Sequence, residues 1–386
     1  MTAILASADP HALLVGRVWR PDVSGPSLVV VREGQLIDIT SRDAATMSEL
    51  LERDDVLDFV ARAKGETLGS LDEIAATGRE GHRPASKPWL LAPCDLQAIK
   101  ACGVTFARSM LERVVEERAA GDPDAAQAVR EQIESAVGNS IRNLVPGSAA
   151  AARVKELLQA QGLWSQYLEV GLGPDAEVFT KAQPMSAVGW GSRIGILEKS
   201  HWNNPEPEIV LAVSSGGRLK GVTLGNDVNL RDLEGRSALL LGKAKDNNAS
   251  CAIGPFIRLC DDRFSIEDIR NLALTVRIRG ADGFELEGRS RLAEISRDPL
   301  ELIKQTLSEN HQYPDGIMLF LGTSFAPTHD RDAPGRGFTH KVGDEVSITA
   351  EGIGTLTNTV AHCPHCMKWD FGSGALMRNL ARRGLL

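Results

Sequence analysis

The segment Asn203-Asn204-Pro205-Glu206-Pro207-Glu208, with Asp227 on a following strand, constrains this chain more than any other stretch. Two glutamates two residues apart on a strand face the same side of the sheet. An apolar run, Ile209-Val210-Leu211-Ala212-Val213, continues the strand, and Ser214-Ser215-Gly216-Gly217 reads as a tight hairpin turn. With Gly216 and Gly217 as a two-residue loop, Ser215 pairs with Arg218 and every opposed pair shares one index sum. Glu206 then faces Asp227, on the side of the sheet that carries Glu208. Opposed side chains lie roughly 4.5–5.5 Å apart at Cβ. Carboxylates this close repel unless a positive charge sits between them. The set offers hard oxygens and no thiolate or imidazole, which favours Mg²⁺, Mn²⁺ or Ca²⁺ over zinc. The same residues also fit a plain acidic, solvated hairpin, and the prolines flanking Glu206 fit an edge strand or an irregular entry.

The chain around this segment has 386 residues, 42% hydrophobic and 24% charged, with net charge −8. That composition is globular and long enough for a large core and two domains. There is no dense Lys/Arg cluster, so no nucleic-acid partner is expected. No apolar run approaches the roughly 20 residues of a membrane span, so no membrane partner is expected either. The first residues lack a basic segment ahead of an apolar one, so no secretory signal is read. Six cysteines in a chain of this length do not make a disulfide scaffold. The expectation is a reduced, cytoplasmic protein.

Periodicity and turn chemistry predict strands over 13–19 and 28–39, the second interrupted by a turn at Glu33-Gly34. Thr46-x-x-Glu49 is a capping box opening a helix to about 63, with a short helix over 71–76. The stretch 77–93 is rich in Gly, Pro and charge and reads as a linker. It divides the chain into a small N-terminal α/β domain over 1–85, with a docking or oligomerisation role, and a C-terminal domain over 95–386. Helices are predicted over 106–118, 123–137 and 149–167, a block that reads either as a lid or as a structural insertion. A strand over 177–181 puts Glu177, Phe179 and Lys181 on one face. A hairpin around Asp282-Gly283, a helix over 299–310, a strand over 316–321 and a basic helix over 377–386 follow. Many short strands with Gly turns point to a β core with long-range pairing. His362-Cys363-Pro364-His365-Cys366 contains a single Cys-x-x-Cys with no second pair at zinc-finger spacing, and reads as reduced thiols.

Several motifs occur together and in order over about 102–360. They are Pro205-Glu206-Pro207-Glu208, the Gly-x-Thr-x-x-Asn-Asp-x-x-x-Arg-Asp pattern from Gly221 to Asp232, Ile253-Gly254-Pro255, Gly322-Thr323, Val342-Gly343-Asp344-Glu345-Val346 and Gly352-Ile353-Gly354-Thr355. The set resembles the metal-binding core of the fumarylacetoacetate hydrolase superfamily. The resemblance implies an α+β fold: a mixed β-roll core with a helical lid or insertion and a small N-terminal domain. It implies a metal held by Glu206, Glu208 and Asp227, in a homodimer or homotetramer. At 102–112 the hydrolases of the superfamily carry a His that, paired with a Glu, activates water; this chain has Ser109 there, a substrate donor or an ordinary helix N-cap. Glu177, two residues before Phe179-x-Lys181, resembles the branch that dehydrates 2-keto-3-deoxy sugar acids; otherwise it reads as a surface glutamate. A lysine upstream of Ile253-Gly254-Pro255 reaches the site in relatives, and the spacing to Asp227 favours Lys245 over Lys243. Carried over position by position, Glu177 and Lys245 are the catalytic pair. Arg108 (otherwise a surface charge), Ser109, Lys181, Arg231 and Thr323 face the substrate.

A hard cation on three carboxylates keeps roughly three positions open, two of which a 2-oxo acid fills with its carboxylate and keto oxygens. The cation then acts as a Lewis acid, stabilising the enolate left when a C3 proton departs. A dehydratase needs a base for that proton and an acid for the leaving hydroxyl. Lys245 is the better base if burial or cations lower its pKa. The expected substrate is a small-molecule 2-oxo sugar acid, a 2-keto-3-deoxy-pentonate of xylonate or arabinonate skeleton, dehydrated to 2,5-dioxopentanoate. The alternatives are an acylpyruvate or fumarylacetoacetate-type hydrolase, an oxaloacetate decarboxylase, and a non-catalytic metal-binding scaffold.

Overall fold

The computed structural model describes residues 4–5, 9, 11–120, 122, 125–129, 131, 144–160, 162, 164–323, 325–334 and 336–386. The N-terminal part supplies strands β1 (Leu14–Arg20), β2 (Gly25–Arg32), β3 (Gln35–Asp38), β4 (Glu66–Ser70) and β5 (Trp89–Leu91). The middle supplies β6 (Ala98–Gly103), β7 (Glu177–Ala182), β8 (Arg193–Ile196), β9 (Asn203–Asn204), β10 (Pro207–Val213), β11 (Leu219–Asp227), β12 (Asn229–Leu230) and β13 (Cys251–Leu259). The C-terminal part supplies β14 (Ala273–Arg279), β15 (Glu285–Arg291), β16 (Ile317–Phe320), β17 (Glu345–Ala350) and β18 (Gly354–His362).

The largest sheet runs β4-β3-β2-β1-β13-β11-β10-β16-β6-β7, with β5 also paired to β1. A second sheet runs β15-β14-β17-β18-β8, and β9 pairs with β12. The β16–β6 and β18–β8 pairs are parallel. In β10 and β13 every residue is buried, and in β11 all but the first are. Being covered on both faces, β10 reads in the sequence as a nearly continuous apolar run from Ile209 to Val213. Alternate residues of β10 serve two cores. Ile209, Leu211 and Val213 join Leu224, Phe256 and Ile348; Val210 and Ala212 join Met47, Leu50 and Phe320. Strands β14, β15 and β17 instead alternate buried with more accessible positions, as strands with one wet face do. The architecture is α+β and dominated by its sheets.

The N-terminal strands extend the sheet that carries the acidic hairpin, because β1 pairs with β13. Strand β5 lies inside the stretch read as a linker. The Thr46 capping box forms with Glu49, but the predicted helix is two: Met47–Glu52 and Val56–Arg62. It breaks at Arg53, whose extended backbone is fixed by side-chain bonds to Asp55 and to the Asp43 carbonyl and by stacking over Phe59. Helices Ala107–Arg118, Ala149–Ala160 and Gln166–Leu172 pack around their own cluster, which includes Met110, Val114, Leu168 and Trp202. The helix predicted over 149–167 is thus split, the second piece being capped by Ser165. The helix predicted over 123–137 lies largely outside the described residues. The Ile253-Gly254-Pro255 motif lies within β13. No helix among the described residues is long and apolar enough to cross a membrane.

Candidate active site

Beyond the tip, the β10–β11 hairpin keeps the index sum expected from a two-residue loop, but it gets there differently. Ser214 donates its backbone N–H to the Arg218 carbonyl and accepts from Gly217 N–H, so the loop holds three residues, with Gly217 at φ +75°. Val213 pairs with Leu219, one short of the predicted sum. Lys220 is then passed over, and Ala212 pairs with Gly221. This bulge residue restores the register all the way to Pro207–Asn226. One step further, the Asp227 N–H donates to the Glu206 carbonyl at 3.0 Å.

As a result, ligand oxygens of Glu206, Glu208 and Asp227 all lie within 4.8 Å of one another. No other such trio of His, Cys, Asp or Glu forms among the described residues, the Cys363–His365 turn included. All three carboxylates are buried. Burial, and then Asp227 and Glu206, push the Glu208 carboxyl well above the usual range, although it accepts the Gly322 N–H at 2.6 Å. Burial acts the same way on Asp227, but Lys181 and Lys245 outweigh it and hold that carboxyl below the usual range. The all-oxygen donor set, and the ammonium of Lys245 lodged between Glu206 and Asp227, mark a place built for positive charge. These residues fit a hard divalent cation.

The other expected residues divide into those that reach this pocket and those behind it. Glu177, Ser109, Lys245 and Thr323 line it, together with Phe179 and Gly322. Glu177 lies directly over Gly103, where a Cβ would meet its Oε2 at 1.8 Å, so any larger residue there would move the carboxylate. Burial, followed by the charge of Glu234, raises the Glu177 carboxyl to about 7, against the pull of Arg113 and Lys245. Lys245 is 3.0 Å from Asp227, also contacts Glu206, and sits over the Phe179 ring. Burial opposes its charge, but Asp227 and Glu206 reverse this and raise its pKa. The lowered pKa expected of a basic Lys245 is therefore not what this arrangement gives. Lys243 is exposed. Ser109 is not the helix N-cap, which is Phe106; its hydroxyl donates to the Phe106 carbonyl at 2.9 Å. The Thr323 hydroxyl exchanges hydrogen bonds with the Phe325 backbone.

Lys181 and Arg231 stand behind the wall. Lys181 is wholly buried, ion-paired to Asp227 at 2.8 Å and donating to the Val228 carbonyl. Arg231 pairs with Glu116 at 3.2 Å, lies over the Trp202 ring, and opens toward a different cleft beside Thr328 and Phe338. The Arg108 side chain lies outside what the structure describes. Two residues that sequence reasoning missed complete the pocket. Arg113, from the Ala107–Arg118 helix, reaches Glu206 with Nη2 and Glu116 and Glu234 with Nη1. Glu234, at the end of the short helix Arg231–Glu234, lines the wall beside it. The only sequence signal was spacing: Arg113 lies one turn beyond Ser109, on the same helical face.

Residues 154–361 match the family model described as fumarylacetoacetate (FAA) hydrolase, C-terminal. Over 194 residues the chain is 33% identical to the probable 2-keto-3-deoxyxylonate dehydratase of Haloferax volcanii, covering 50% of this chain and 63% of that protein. Over 184 residues it is 34% identical to the 2-dehydro-3-deoxy-D-arabinonate dehydratase of Saccharolobus solfataricus, covering 48% and 58%. The chain thus spans less than two thirds of the length of these curated relatives. It shares its fold with a solved structure described as 2-keto-3-deoxy-D-arabinonate dehydratase complexed with magnesium and 2,5-dioxopentanoate. That likeness has a TM-score of 0.62 and 21% identity, over 90% of this chain and 99% of that one. More than half of the sequence fits the family model, and the acidic trio stands on the hairpin that carries the shared motifs: this chain belongs to the fumarylacetoacetate hydrolase family.

Proposed function

We propose that this chain is a Mg²⁺-dependent dehydratase that converts a 2-keto-3-deoxy-pentonate, of xylonate or arabinonate skeleton, to 2,5-dioxopentanoate. The observation that carries the reading is the presence of both Glu177 and Ser109 in the lining of one pocket. The pocket holds a half-buried carboxyl poised at about 7, and the helix position that would activate water for a hydrolase bears a serine bonded to its own helix. Relatives that bear dehydratase names support the same reading.

Glu206, Glu208 and Asp227 are the residues that would hold the metal. When bound, Mg²⁺ supplies a Lewis acid for the negative charge that develops on a 2-oxo group. Glu177 is suited to take the C3 proton, because a carboxyl near 7 is partly ionised at neutral pH and still basic enough to be useful. Lys245, kept as an ammonium by Asp227 and Glu206, is suited to donate a proton to the departing hydroxyl. Thr323 and the Gly322 turn border the Glu208 side of the pocket, where the substrate carboxylate fits. The same reading makes this a cytoplasmic enzyme of pentose catabolism, a homodimer or homotetramer whose ligand is a small 2-oxo sugar acid.

The test is product analysis by NMR with 2-keto-3-deoxy-xylonate and, in parallel, acetylpyruvate, on metal-free and Mg²⁺-loaded protein. Metal-dependent formation of 2,5-dioxopentanoate is expected. Cleavage of acetylpyruvate with the sugar acid untouched would replace the dehydratase by a hydrolase.

A further inference from the structure

Buried charges of alternating sign run through the site in one chain: Arg231, Glu116, Arg113, Glu206, Lys245, Asp227 and Lys181. Within it, Arg113 is the member that both comes from the Ala107–Arg118 helix and lines the pocket. Its guanidinium has two unlike edges. Nη1 is anchored by two carboxylates, Glu116 and Glu234. Nη2 is held by Glu206. Ser109, one turn earlier on the same face, spends its hydroxyl on the Phe106 carbonyl and leaves the space beside Arg113 to the pocket.

The two flanks of the acidic trio therefore differ in chemistry. The Glu208 flank carries the Gly322 N–H and Thr323. The Glu206 flank carries Arg113. A polyhydroxy 2-oxo acid also has two unlike ends, a carboxylate with its adjacent keto group and a hydroxylated tail. A divalent cation would compete with Arg113 for the charge of Glu206, whereas nothing relaxes the hold of Glu116 and Glu234 on Nη1. Such competition would free the Nη2 edge, which already lies in the pocket lining, to act as an N–H donor there. Its positive charge is already balanced by Glu116 and Glu234, which suits neutral hydroxyl oxygens better than a second carboxylate.

We propose that Arg113 is a specificity residue that binds the hydroxylated end of the substrate; the identity of that end rests on the dehydratase reading. The Arg113→Lys variant keeps the charge that Glu116 and Glu234 require and loses the fork. The probes are 2-keto-3-deoxy-xylonate and 2-oxopentanoate, which has the same carbon chain without the two hydroxyls. On Mg²⁺-loaded R113K the KM for the sugar acid is expected to rise about 10- to 100-fold, as for a lost hydrogen bond to a charged group, with kcat falling less than KM rises. Inhibition by 2-oxopentanoate and Mn²⁺ affinity, read by electron paramagnetic resonance, are expected to be unweakened. An equal loss for both acids, or weakened Mn²⁺ binding, would overturn the proposal and reduce Arg113 to a support of the cage. If the wild type forms no 2,5-dioxopentanoate, the dehydratase reading fails. Calorimetric affinities of the two acids for wild type and R113K then decide the role of Arg113 by the same comparison. Should R113K lose its melting transition, the double variant R113M/E234Q, which removes a carboxylate along with the cation, carries the same pair of measurements.

Discussion

Glu177 is an acid whose surroundings work against its charge. Burial first, and then Glu234, lift its carboxyl from the ordinary 4.5 to about 7. If its ionised form is the base, kcat/KM rises with pH through about 7, and Glu177→Gln loses on the order of 10²–10⁴ in kcat with no such rise. Stability carries the opposite sign. Between about 4.5 and 7 the native state holds a proton that the unfolded chain has released, so stability falls as pH rises through that window. Denaturant titrations of metal-free protein should therefore show E177Q gaining on wild type, on the order of 3 kcal/mol well above pH 7 and nothing at pH 4. Equal stability at both pH values would mean the carboxyl is solvated. Residues near each other in sequence were legible: Glu206, Glu208 and Asp227 follow from hairpin counting. Arg113 and Glu234 were not, because two helices far apart in sequence meet there and neither has a pattern that names its partner.

Elements place these side chains with the help of two glycines, one for space and one for its backbone conformation. Strand β6 ends at Gly103, directly opposite Glu177 on β7. Gly103→Ala should displace the carboxylate and abolish turnover, while Mn²⁺ affinity, set by β10 and β11, stays as in wild type. At the hairpin tip, Gly217 has φ +75° and nothing closer to a new Cβ than Leu307 at 3.7 Å. Gly217→Ala should therefore cost about 1 kcal/mol from backbone strain alone, measured by chemical denaturation, with the metal site unchanged. A larger loss together with weakened metal binding would show that the tip sets the register. The tip also shows what sequence counting can and cannot see. A three-residue loop and a one-residue bulge cancel, so the right facing pair emerged from the wrong turn. The break at Arg53 stayed hidden because apolar spacing continues across it, and only the Arg53 contacts to Asp43, Asp55 and Phe59 stop the helix.

At the scale of the whole molecule, the site lies within a sheet that reaches from β4 at one edge to β7 at the other. The pairing of Trp19 on β1 with Trp89 on β5 joins distant parts of the chain, and no local pattern announces such a neighbour, which is why β5 was read as linker. A cation bound to this frame but not to the unfolded chain stabilises it by about 2.7 kcal/mol at a hundred times its dissociation constant. Mg²⁺ should accordingly raise the melting temperature of wild type by several degrees and leave Asp227→Asn unmoved; equal shifts in both would place the cation elsewhere. The row of alternating charges from Arg231 to Lys181 spans the Ala107–Arg118 helix, the acidic hairpin, β7 and the short helices Arg231–Glu234 and Leu241–Lys245. Because each member neutralises its neighbours, removing one leaves a charge stranded in the interior, and effects along the row cannot add. In aligned relatives, positions 113, 116, 231 and 234 should change in company, a cation exchanged for a neutral side chain only where a neighbouring acid has gone too.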